Sequence, residues 1–102
     1  MNTSHLHGRE LREHAEAASQ LLRTISNPAR LTILCALVED EHSVGELSGL
    51  ISLSMSAVSQ HLAVLRREGI VETRRDGQTI HYSLADHDVR AVMACLHGIY
   101  CE

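Results

Sequence analysis

The stretch from Ser43 to Arg67 constrains this chain more than any other. Ser43-Val44-Gly45-Glu46 has capping-box spacing, a Ser followed three residues later by Glu, and it opens a short helix that runs to about Ile51. Ser52-Leu53-Ser54 is a three-residue break, and Ser54 caps a second helix that continues to about Arg67. Two short helices joined by so tight a turn have helix-turn-helix proportions. On the second helix Val58, Leu62 and Leu65 form the inward stripe. At about 100° per residue, Ser56, Gln60, Ala63 and Arg67 share the opposite face. That face is small and polar enough to enter a major groove, where Gln can pair with adenine and Arg with guanine. Taken alone, it also fits a merely solvated surface.

Gly69 stops this helix and an alternating run follows. Asp76-Gly77 is a preferred two-residue hairpin turn, which predicts Arg75 opposite Gln78, Thr73 opposite Ile80 and Val71 opposite Tyr82. Val71, Thr73, Ile80, Tyr82 and Leu84 then share one face, with Glu72, Arg74, Thr79, His81 and Ser83 on the other. Arg74 and Arg75 are expected at the tip, where a wing reaches phosphate or the minor groove.

Toward the N-terminus, Leu11, Ala15, Ala18, Leu22 and Ile25 recur at four-three spacing and predict a helix over 9–25 with a narrow apolar seam. Asn27-Pro28 supplies an N-cap and a first-turn proline for the next helix. That helix carries Leu31, Leu34, Cys35 and Val38 on one face and ends at Glu39-Asp40-Glu41, so Cys35 is expected to point inward. Asp86 caps a last helix with Val89, Val92, Met93, Leu96, Ile99 and Tyr100 as its stripe. The order is that of a winged helix-turn-helix, mainly α with a β-hairpin wing. Both terminal helices are more apolar than one small core requires. They predict a homodimer through Leu11, Ala15, Ala18, Leu22, Val92, Leu96 and Ile99, which would set two recognition helices in major grooves about 34 Å apart.

The chain has 102 residues, read as one DNA-binding domain over 1–102 with 1–8 a flexible arm. A core this small leaves little room for a large cleft, and no phosphate loop or oxyanion motif is present, so the chain does not read as an enzyme. No apolar run approaches the ~20 residues of a membrane span, and Met1–His7 lacks the pattern of a signal peptide. The expectation is a cytoplasmic protein with no membrane partner. Net charge is -4, which by itself does not favour phosphate. Residues 1–50 hold seven acids and four Arg, however, while residues 54–83 hold four Arg and three acids, so a basic strip on one face is compatible with the sum. Cys35, Cys95 and Cys101 contain no Cys-x-x-Cys pair, and an odd count in a reducing compartment does not make a disulfide framework.

Three segments carry a family resemblance: Asn27-Pro28-Ala29-Arg30-Leu31-Thr32-Ile33-Leu34, the string from Ser54 to Leu62, and Arg74-Arg75-Asp76-Gly77-Gln78. They resemble the ArsR/SmtB family of bacterial winged-helix repressors over roughly residues 19–102. The resemblance implies a homodimeric repressor that releases operator DNA when an inducer binds. It also implies DNA contacts from Ser54, Ser56, Ser59, Gln60 and His61, with wing arginines Arg74 and Arg75; Arg67 and Gln78 join them from the residue pattern. Helical geometry agrees for Ser56 and Gln60 and puts His61 nearer the core flank.

Family members differ in what they sense. Arsenic and cadmium sensors place a Cys-x-Cys pair where this chain reads Ser43-Val44-Gly45-Glu46-Leu47. Zinc sensors use Asp and His across paired last helices. Asp86 and Asp88 match two such positions, but Ile99 stands at a later histidine position and His97 lies about 200° around the helix from it. Cys35 in Ile33-Leu34-Cys35 and Cys101 in Ile99-Tyr100-Cys101 resemble the branch that senses persulfides and other reactive sulfur. There the two matching cysteines become joined by a disulfide or polysulfide. Cys95 has no counterpart in that pair and is read as packing; no cofactor and no metal are implied. The alternative is a zinc- or nickel-responsive repressor of the same fold, with ligands among His87, Asp88, His97 and Cys101 or among His5, His7 and His14. His5, His7, His42 and His87 are otherwise expected to be solvated.

Overall fold

The computed structural model describes residues 8–85 and 87–100. The chain runs α1 (Gly8–Ile25), α2 (Pro28–Glu39), β1 (His42–Ser43), α3 (Val44–Ile51), α4 (Met55–Arg67), β2 (Val71–Asp76), β3 (Thr79–Leu84) and α5 (His87–Tyr100). This is the expected winged helix-turn-helix, mostly helical with a small antiparallel sheet. Gly8, expected in a flexible arm, already belongs to α1.

Local capping chemistry explains the boundaries. Asn27 accepts the Arg30 N–H and Pro28 sits in the first turn of α2, where its missing N–H costs nothing. Ser43 and Glu46 complete a reciprocal capping box at α3, and Ser54 accepts the Ala57 N–H to start α4. Between them Ser52 adopts a left-handed conformation (φ 57°), and the Ser48 hydroxyl donates to the Leu53 carbonyl. α4 ends in a Schellman arrangement: Gly69 at φ 76° donates to the Arg66 carbonyl, and Ile70 donates to that of Leu65. Buried Ile70 starts the chain into the wing.

α2 is the centre of the core. Ile33, Leu34 and Leu37 are fully enclosed, and α3, α4, α5 and β3 all pack on this helix. Leu47 of α3, Val58, Leu62 and Leu65 of α4, Val71 and Leu84 of the wing, and Val89 and Met93 of α5 complete the cluster. α1 contributes little beyond Ile25 and Thr24; residues 8–20 are exposed throughout.

The sheet differs from expectation in two ways. Its order is β1-β3-β2, because His42 and Ser43 pair with Tyr82 and His81 as a two-residue strand that the sequence reading missed. His42, expected to be solvated, is therefore half-buried. The hairpin pairs Asp76 with Thr79, Arg75 with Ile80 and Thr73 with Tyr82, so the loop is Gly77-Gln78, one residue later than expected. Face membership survives, since the pairing slips by two residues and parity is kept. A loop on Asp76-Gly77 would require positive φ at Asp76. Here Gly77 (φ 65°) takes that conformation and no other wing residue does, as a glycine-first hairpin turn requires. Gly77→Ala should therefore cost about 1–2 kcal/mol of stability. Asp76→Ala should stay within about 0.5 kcal/mol. Urea melts of the two variants check the register, and a larger loss at Asp76 would contradict it.

Candidate nucleic-acid interface and thiol site

On α4 the residues expected at the groove do face outward. Ser56, Ser59, Gln60, Ala63 and Arg67 are all exposed, while Val58, Leu62 and Leu65 are sealed in the core. The five outward positions fall within about 100° of arc, so one edge of the helix presents two hydroxyls, one amide and one guanidinium. Ser54 is exposed as well, with its oxygen already accepting the Ala57 N–H at 3.0 Å; its hydroxyl proton remains available to an acceptor.

His61 stands apart from this edge. It is half-buried, and its Nδ1 lies 3.4 Å from Nε of Arg30, which donates to it. The same guanidinium donates through Nη1 to the Thr24 carbonyl at 2.9 Å. Arg30 thus joins the last turn of α1, the first turn of α2 and the recognition helix. Nothing in the spacing of Arg30 and His61, 31 positions apart, foretold that junction.

The wing also departs from expectation. Arg74 is not at the tip: it pairs with His81 in the ladder, and its side chain reaches past β3 to Glu41. Nε donates to Oε2 at 3.2 Å and Nη2 donates to Oε1. Two N–H groups on one carboxylate hold Glu41 below the usual carboxylate range and raise Arg74. The backbone N–H of Ser43 likewise lowers the Glu46 carboxyl. Both carboxylates are therefore charged at neutral pH, and their contacts are lost only as pH falls through these lowered values. Arg75 lies one residue nearer the turn and donates to the Gly77 carbonyl at 3.0 Å. Gln78 is in the turn itself and exposed.

At the opposite side of α2, Cys35 is half-buried against the core. It lines a cavity of about 230 Å³ together with Leu31, Met93, Leu96 and Tyr100. Cys101 lies outside the described residues, as do Asp86, His5 and His7. Cys95, expected as packing, is exposed: Met93 is the inward residue of α5, and a position two further along points about 200° away. Among the described residues no three His, Cys, Asp or Glu side chains come together to hold a metal ion.

The seam expected on α1 is open. Leu11 is 44% and Leu22 55% exposed, with Ala15 and Ala18 also uncovered. The side of α1 that meets its own domain is instead Ala17, Gln20, Leu21 and Thr24, with Gln20 donating to Glu68 at 3.1 Å. On α5, Val92 and Leu96 are half-buried, whereas Ile99 is 64% and Tyr100 80% exposed.

This arrangement has clear relatives. The family described as "Bacterial regulatory protein, arsR family" matches residues 27–73. The transcriptional activator HlyU of Vibrio cholerae is 47% identical over 91% of this chain and 86% of its own length. The chain belongs to the ArsR family. The structure described as reduced HlyU from Vibrio cholerae superposes with a TM-score of 0.88, covering 92% of this chain and 99% of that one at 47% identity. The Biofilm growth-associated repressor of Xylella fastidiosa is 40% identical over 95% of this chain and 85% of its own. The crystal structure of the repressor BigR from Xylella fastidiosa gives a TM-score of 0.85 at 41% identity, covering 91% and 92% of the two chains. This ArsR-family member is a DNA-binding transcriptional regulator, not an enzyme, and among the described residues no single helix is long and apolar enough to cross a membrane.

With the recognition edge at Gln60, Gln60→Ala should cost about 1–3 kcal/mol on operator DNA and relax sequence preference. Arg75→Ala should weaken binding to all sequences alike and flatten the salt dependence. Anisotropy titrations on specific and scrambled duplexes check both; unchanged operator affinity for Gln60→Ala would contradict the groove assignment.

Proposed function

We propose that this chain is a homodimeric cytoplasmic repressor that senses persulfide or polysulfide through Cys35 and Cys101, a bridge between them lowering operator affinity. The observation that carries the reading is the cavity beside Cys35: it is walled by Tyr100 of α5, the residue that precedes Cys101 in the chain. Similarity to the repressor BigR and to HlyU, described in a reduced form, supports it further. The exposed seam of α1 and the exposed end of α5 support pairing of two copies through the terminal helices, since isolated apolar faces of this kind mark interaction sites.

The chemistry balances without a further oxidant. A cysteine thiolate attacks the outer sulfur of R–S–SH, expels R–S⁻ and becomes Cys–S–SH. The thiolate of the second cysteine attacks the inner sulfur of that persulfide and expels hydrosulfide, leaving a disulfide. If the second cysteine also carries an added sulfur, the same displacement leaves a trisulfide. The departing sulfane sulfur takes the electrons. Reach discriminates between products, because a disulfide needs Cα atoms within about 7 Å and each inserted sulfur adds roughly 2 Å. A bridge would tie the end of α5 to α2 of the same domain. A coupling of about 1–3 kcal/mol would lower affinity five- to 150-fold.

Cys35→Ser and Cys101→Ser should each abolish release of operator DNA by a persulfide donor, while Cys95→Ser should respond like wild type. Intact-mass and peptide mapping should show added sulfur and a Cys35–Cys101 cross-link. Release in either of the first two variants, with loss of release in Cys95→Ser, would overturn the reading. Leu22→Asp should give monomers that lose the operator; an intact dimer in sedimentation would place the seam elsewhere.

A further inference from the structure

The middle of the wing, where β1 joins the sheet, holds a charge cluster that the DNA-binding reading does not use. Arg74, on the outer strand β2, reaches over β3 and places two N–H groups on Glu41, just before β1. Beside this pair stand His81, the ladder partner of Arg74, and Asp76, whose charge also acts on Arg74; His81 is shared in turn with Glu46, whose Oε1 lies 3.6 Å from Nδ1 of half-buried His42. One guanidinium thus shares this part of the wing with the carboxylates of Glu41, Asp76 and Glu46 and with two imidazole side chains. The guanidinium is also drawn toward β1 and away from the turn where Arg75 lies.

A carboxylate holding a guanidinium side-on occupies the geometry that a DNA phosphate would use. We propose that Glu41 is a built-in competitor for phosphate, withholding Arg74 from DNA and so damping the sequence-independent attraction of the wing. When phosphate takes Arg74, Glu41 must recruit a cation from solution. The exchange trades one anion for another and releases no net counterion. Arg74 therefore adds little affinity and little salt dependence while Glu41 is present. With Glu41 neutralised, the same arginine meets phosphate without a rival and contributes a full contact, worth a change of about -0.9 in the slope of log K against log salt. That slope corresponds to about threefold extra affinity for each fourfold fall in salt. The effect acts on all sequences alike, leaving discrimination to the α4 edge.

The test uses the full chain, reduced, titrated against a fluorescent duplex of unrelated sequence across a salt series. Wild type, Glu41→Gln, Arg74→Gln and the double variant form a cycle, and Glu39→Gln at the exposed end of α2 controls for the loss of one negative charge. Glu41→Gln should bind several-fold tighter with a slope steeper by about one, and the gain should vanish in the Arg74→Gln background. Arg74→Gln alone should stay near wild type. Glu41→Asp, which keeps the charge and shortens the reach, should fall between wild type and Glu41→Gln. A gain no larger than that of Glu39→Gln, a gain that persists without Arg74, or weaker binding by Glu41→Gln would each overturn the proposal. Should Glu41→Gln fail to fold, the Glu41→Asp slope decides: a slope equal to wild type contradicts the competition.

Discussion

Burial of α2 is the interaction on which the rest of the structure depends. Ile33, Leu34 and Leu37 are removed from water almost completely, at about 1.5–3 kcal/mol for each side chain, and α3, α4, α5 and β3 all pack on this helix. The two chemically distinctive residues of this helix leave the core on different sides. Arg30 meets His61 of the recognition helix, and Cys35 meets the α5 residues Met93, Leu96 and Tyr100 across a small cavity. A third contact, from Arg90 of α5 to the Val38 carbonyl at 2.6 Å, satisfies an end group of α2 that would otherwise lack a partner within the helix. One helix therefore touches both the cavity beside Cys35 and the recognition helix, the route by which close packing would carry a shift if the proposed bridge forms.

Electrostatics follow the same economy. A chain of net charge -4 does not attract DNA by its sum, so the placement of its nine arginines matters more than their number. Arg30 is committed to carbonyl and imidazole acceptors, Arg74 to Glu41 and Arg90 to Val38. All three arginines among the expected DNA contacts are exposed: Arg74 is held by Glu41, while Arg67 stands at the end of α4 and Arg75 beside the turn. On the competition proposed for Glu41, such a distribution would keep non-specific attraction low and leave discrimination to the outward polar edge of α4.

Much of this was legible in the sequence wherever the determining contacts are local. The Ser43 and Ser54 caps, the inward set Val58, Leu62 and Leu65, and the outward set around Gln60 all depend on residues within one or two helical turns. The face membership of the wing depends only on parity, so it survived a turn displaced by one residue. What escaped was non-local. A two-residue strand at His42 has no periodicity to detect, and without it neither the burial of His42 nor the reach of Arg74 to Glu41 could be foreseen. The Arg30–His61 contact crosses 31 positions. Cys95 was misplaced for a different reason: its apolar character suits a core, but the inward stripe of α5 is fixed by Val89 and Met93, and the helical period turns residue 95 away.

The most direct test concerns the spacing of the two recognition helices. A spin label carried by a non-natural residue at exposed Leu50 of α3, the helix packed on the recognition helix, leaves all three cysteines and the α4 edge intact, and pulsed electron resonance reads the distance between the labels of the two copies. Reduced protein should give one narrow distribution, unchanged when operator DNA is added and compatible with successive major grooves about 34 Å apart. Persulfide treatment that releases DNA should move that distribution by several ångströms, and Cys35→Ser should abolish the movement. Release of DNA with an unmoved distribution would contradict the account.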